Sequence, residues 1–322
     1  MPTVDLSSPT PPPDSLLAGL PRRVTLTLPE LRLLAERTGG APLPFLESAT
    51  SDAPATDGGG LESRLGAPGG GDAEAAFAAA VARLHDPVES LTRRGLLEAD
   101  GSPEAGLAGA VGLLATPRVA LDLDVAVGRV RAHAWHRHGR AAVAALATAD
   151  GLVFELGWFA VGQWAGELAR VAAVPEDAAS APGAPGALDD RTRASALPDV
   201  LDLPYELLDS AGEAFRTRRS DVVGVLAAHH TGEVIADGRP VADAQVPGLL
   251  GALAAETRGR LRALVCEVPA ETVGVTSWLL VADGWRALRP HTTGGVARVE
   301  LRRVDPDDLA ACLAPVLAEV VR

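Results

Sequence analysis

The side chains best equipped for chemistry lie in one short run, His133-Ala-Trp-His136-Arg-His138. In a β-strand alternate residues share a face, so His136 and His138 point one way and His133 and Trp135 the other. Two imidazoles on one face suit zinc, but no Cys, Asp or Glu stands nearby in sequence to complete three protein ligands. With a carboxylate from a distant part of the chain, His133, His136 and His138 would make a hydrolase, which is the enzymatic alternative. Asp122 and Asp124 also share a strand face, but work as an acid and base pair requires a pocket that spacing does not supply. There is no Gly-x-Ser-x-Gly elbow, no Gly-x-Gly-x-x-Gly and no His-Glu-x-x-His, and neither GGG run is followed by Lys-Ser/Thr. The expectation is therefore no catalytic residue, no metal and no cofactor. What remains is a stripe on the same strand: Arg129, Arg131, His133, Trp135 and Arg137. Arg and Trp anchor interfaces, so this stripe reads as a partner-binding sheet face. Solvent exposure with intramolecular ion pairs is the plainer alternative.

Such residues need a scaffold, and the composition supplies one. The chain has 322 residues, enough for one large domain or two ordinary ones, and 47% of them are hydrophobic. All 29 basic residues are Arg, and net charge is −13. A chain this acidic repels phosphate backbones, so nucleic acid is not an expected partner. Two cysteines, Cys266 and Cys312, are too few for a disulfide framework and read as small buried hydrophobes. No leader-like segment opens the sequence and no apolar run approaches the ~20 residues of a membrane span. The expected setting is cytoplasmic.

The elements repeat. Residues 117–174 give four strand-like runs and a helix, RVALDLDV, RVRAHAWHRHG, RAAVAALATADG, LVFELGWF and AVGQWAGELARVAAV. Residues 260–322 repeat that layout, and a shift of 145 places Glu155 on Glu300 and Leu168 on Leu313. The fold class expected is α/β (α+β), a mainly antiparallel sheet flanked by helices, with two quasi-repeated halves related by a pseudo-two-fold. The boundaries expected are a disordered tail at 1–21, an N-terminal half at 22–174, a flexible linker at 175–199 and a C-terminal half at 200–322. A strand at 22–28 runs into a helix that starts near Pro29, and Asp150-Gly151 marks a hairpin. Ser102-Pro103-Glu104 reads as N-cap, N1 and first-turn acid of a helix through Leu114. Residues 203–218 read as a helix, and 222–230 leans to helix. In the last strand Val299 and Leu301 face the core while Arg298, Glu300 and Arg302 face out. Asp305 reads as the N-cap of the closing helix, with a kink or break expected at Pro315. Glu167 and Arg170 are expected to face water.

The runs VTLTLPELRLLAERTGG and PLPF, then RRGLLEADGSPEAGLAGAVGLLATP leading into RVALDLDV, resemble the EspG family, as does the ending VARVELRRVDPDDLAACLAPVL. EspG proteins are cytosolic chaperones of type VII (ESX) secretion in actinobacteria. The resemblance runs from about residue 22 to 322 as one EspG-like domain and omits the two Gly/Ala/Pro-rich insertions. It implies a non-enzymatic role: binding a secreted PE–PPE-like helical pair and keeping it soluble for export. A monomer or weak homodimer without membrane insertion goes with that role. In the family, a hairpin loop after the first sheet strand of the N-terminal half and a helical region of the C-terminal half contribute to the contact. The matching loop here, Val125 to Arg129, is short and implies a smaller contact. Val125 and Val127 join the stripe as candidate partner-binding residues. A non-secretory interaction protein is a further alternative.

Overall fold

The computed structural model describes residues 22–45, 72–128, 130–173, 195–268 and 273–320. The tail at 1–21, most of the Gly-rich stretch before residue 72, Arg129 and most of the expected linker lie outside the described residues. The fold is mixed α/β with a large antiparallel sheet. The chain divides into two compact units. The first comprises residues up to 120 and 134–163, and the second comprises 121–133 and 164–322.

In the first unit, strand β1 (Arg22–Thr27) runs directly into helix α1 (Leu28–Arg37). Thr27 caps that helix through a box the sequence reading missed: the Thr27 hydroxyl accepts from Glu30 N–H, and the Glu30 carboxylate accepts from Thr27 N–H at 2.7 Å. Helices α2 (Asp72–Ala82), α3 (Pro87–Arg93) and α4 (Ala105–Ala115) follow. The cap of α4 is Glu104, whose carboxylate accepts from Leu107 N–H at 2.9 Å, and not Ser102 as expected. Ser102 instead bonds Asp100, and Pro103 bridges Leu97. β4 (Ala142–Thr148) and β5 (Val153–Ala160) form the expected hairpin over Asp150-Gly151, with Gly151 at φ 71°. Phe154, Leu156 and Trp158 enter one core with Leu31 and Leu34 of α1 and Leu107 and Val111 of α4.

β1 lies at the end of this unit's strand order, where open backbone groups invite pairing with another chain. Two of them are closed by one partly buried ion pair. Glu30, 2% exposed, takes Thr27 N–H, while Arg94 donates to the Thr25 carbonyl at 2.5 Å and to Glu30 at 3.1 Å. Burial raises the Glu30 pKa, but the Thr27 N–H, the Ser90 hydroxyl and Arg94 outweigh it and hold the carboxyl below its usual range.

The chain passes through β2 (Val119–Val127) and β3 (Val130–His138). A 3-10 turn at Val161–Gln163 leads into α5 (Trp164–Ala172). The second unit continues with β6 (Val200–Pro204), α6 (Tyr205–Arg216), α7 (Val223–Ala228), the short strands β7 (Ile235–Ala236) and β8 (Arg239–Pro240), and α8 (Val246–Glu256). Its repeat is β9 (Gly259–Glu267), β10 (Val273–Val281), β11 (Gly284–Thr293), β12 (Val296–Val304), a 3-10 turn at Pro306–Asp308, and α9 (Leu309–Val320). The 145-residue shift carries the first 3-10 turn and α5 start onto the second turn and α9 start, and Leu168 and Leu313 are both fully buried.

Several local expectations change. Residues 200–204 are a strand before α6 begins, because Leu201 and Leu203 pair with β12 and bury. Asp305 makes no side-chain cap, and α9 continues across Pro315. Glu167 is only 12% exposed beside Arg170. Cys266 and Cys312 are half-buried. Arg298 is buried, because Asp202 at 2.9 Å and the Glu233 carbonyl at 2.7 Å satisfy it.

Candidate partner-binding surface

The residues expected to bind a partner do not form one stripe. Arg131 and His133 are exposed on β3. Trp135 is half-buried against the first unit's core, its ring 5.8 Å from Phe45. Arg137 is buried, with Nη1 3.4 Å from the His136 carbonyl. Val125 and Val127 turn inward, at 8% and 3% exposure. Arg129 lies outside the described residues. The histidines do not converge either. His133 is exposed, His136 is 1% exposed, and burial with the Arg137 charge pushes His138 down to about 4. Asp124 lies 4.0 Å from Arg260 as a loose ion pair. Among the described residues no group of three or more His, Cys, Asp or Glu is placed to hold a metal.

A different surface emerges in the second unit. On β9 and β10 one face is sealed by α9: Leu261, Ala263, Val265 and Trp278 are all fully buried. Gly274 sits so close under this helix that an added Cβ would overlap Val316 and stand 3.0 Å from Val320. The opposite face is divided. Near one end of the strands, Leu279, Val281, Leu288, Val299 and Leu301 pack with α6, α7 and α8. Beyond these helices the same face stays open. Val273 pairs with Cys266 and Val275 with Leu264, and the two valines are 56% and 48% exposed. Pro290, Thr292 and Ala297 are exposed on the adjoining strands, where Thr292 pairs with Ala297. Val268 at 44% exposure lies just past β9. None of these exposed positions on the described strands is charged, while Arg262, opposite Ser277 on β9, shares the same face. Exposed apolar side chains gathered on one sheet face make this end of the sheet a candidate interaction site.

The sequence gives only a faint sign of this face. In VGVTSWLLV both strand faces carry apolar residues, so alternation does not say which one the helices leave bare.

This architecture has a counterpart among solved structures of secretion chaperones. The chain is similar to the Mycobacterium tuberculosis type VII secretion system chaperone EspG5, seen in complex with a PE25–PPE41 dimer, at 13% identity and a TM-score of 0.56. The match covers 93% of this chain and 97% of that one. At this identity the likeness concerns the fold. No family model matches the chain, and no curated protein matches it. No helix among the described residues is long and apolar enough to cross a membrane.

Proposed function

We propose that this protein is a cytosolic chaperone of a type VII secretion system, which binds a PE–PPE-like helical pair and holds it soluble for export. The observation that supports this reading is the open apolar face around Val273, Val275 and Pro290, bordered by the helix-covered part of the same sheet. A helical bundle that is secreted must hide an apolar tip before export, and a bare sheet face of matching chemistry can shield it. The fold shared with EspG5, whose structure contains a PE25–PPE41 dimer, adds a precedent for that class of cargo. Arg131 and His133 are proposed as additional contacts, because both are exposed on β3. The role needs no catalytic residue and no cofactor, and a monomer or weak homodimer suffices.

Co-expression with a PE–PPE-like pair from the same genome tests the reading. The pair should co-purify with the protein, and Val273→Asp with Val275→Asp should abolish that capture. Undiminished capture by the double variant would overturn the assigned surface. Failure of every such pair to co-purify would overturn the cargo.

A further inference from the structure

An open groove of about 600 Å³ in the second unit plays no part in the chaperone reading. It lies between residues 196–198, the β7–β8 hairpin and the first turns of α8. Leu197, Pro198, Ala236, Val241 and Leu249 make its walls apolar, and its polar side chains are Arg239 and Gln245. Among the described residues no acidic side chain lines it.

The walls are held in place. The Glu256 carboxylate accepts from Ser195 Oγ at 2.5 Å and from Ala196 N–H at 3.0 Å. The buried Arg286 donates to the Pro198 carbonyl and pairs with Asp283 at 3.0 Å. The hairpin turn is set by Asp237 and Gly238, at φ 47° and 76°. Arg239 has no such anchor. The carboxylates nearest it in sequence are engaged by backbone: Asp237 accepts from Val200 N–H and Asp243 from Gly232 N–H, each at 2.9 Å. The Arg239 side chain makes no hydrogen bond or ion pair with any described residue. On a chain of net charge −13, this leaves an exposed cation lining an apolar groove with no acidic partner among the described residues.

We propose that the groove binds an apolar acyl chain whose carboxylate pairs with Arg239. Arginine can hold a carboxylate through two parallel N–H bonds, and the groove volume falls within the ~300–1,000 Å³ of small-molecule sites. An extended peptide fits the groove less well. β8 is the last strand in this unit's order, and Arg239 pairs back to Ala236. The next residue is Pro240, without an N–H, and Val241 N–H is bonded to the Val234 carbonyl at 2.8 Å. A peptide backbone laid along this edge would find no donor at Pro240 or Val241, whereas an acyl chain requires none.

Titration calorimetry of the full chain with decanoate, below its micelle concentration, tests the proposal. The expected result is saturable binding of one decanoate, with decanol at least tenfold weaker. Arg239→Gln should weaken decanoate at least tenfold. Gly248→Leu should abolish binding, since Gly248 lines the groove and a Cβ there meets nothing within 4 Å, which leaves the added side chain free to fill the space. An unchanged melting temperature would show that both variants fold. Absence of saturable heat, equal affinity for decanol, or an unaffected Arg239→Gln would overturn the assignment. Tighter binding of N-acetyl-Ala-Val-Leu than of decanoate would replace the acyl chain with a peptide terminus.

Discussion

The two faces of β9 and β10 carry similar residues and have opposite fates. On one face Ala263, Val265 and Trp278 lie beneath α9, so tightly that a Cβ at position 274 would overlap Val316. On the other, Leu264, Val273 and Val275 are as apolar but remain partly or largely open. Side-chain chemistry therefore does not separate core from interface in these strands. The reach of the helices does. Apolar area beneath α9 contributes to folding stability, while apolar area beyond α6–α8 is left for association.

Substitutions can break this contrast. The largest effect is expected beneath α9, where Gly274→Val should cost about 2–3 kcal/mol in urea unfolding by overpacking against Val316 and Val320. Val316→Ala in the same chain should restore part of that loss, as coupled neighbours do. Burial should also govern His138. Its pKa, about 4 when folded and 6.5 as the ordinary value, means that the unfolded chain takes up its proton first. Stability should thus be full above pH 6.5 and fall as pH drops towards 4, by up to about 2 kcal/mol between pH 6.5 and 5. His138→Gln should remove that part of the slope, measured by urea unfolding at several pH values. On the open face the balance reverses. Val275→Asp should leave stability within about 0.5 kcal/mol of the parent, yet weaken capture of a PE–PPE-like pair at least tenfold. The smallest effect is expected from Arg131→Ala, roughly threefold in capture, as for residues at an interface rim. A stability loss for Val275→Asp equal to that for Gly274→Val would erase the distinction between the faces.

Much of the architecture was legible in the sequence because it rests on local rules. Asp150-Gly151 has few options other than a hairpin, and the repeated order of strands, turn and helix survives a shift of 145 residues. The readings that failed depend on partners far along the chain. Arg298 looks like a solvent residue until Asp202 and the Glu233 carbonyl are brought to it. Leu203 looks like the start of a helix until β12 pairs with it. Arg137 looks like a continuation of the exposed Arg131 and His133, yet the strand carries it from solvent into the protein interior. The open face was illegible for the same reason. Nothing local in Val273 or Val275 states where a helix elsewhere in the chain ends.

The most direct measurement is the alkylation rate of the thiol introduced by Val275→Cys, with and without a bound PE–PPE-like pair. Its position is 48% exposed, so the free protein should be labelled quickly. Slowing of at least tenfold in the complex is the expected result. Equal rates in the free protein and the complex would show that this face stays bare when the partner is bound, and would contradict its role as the docking surface.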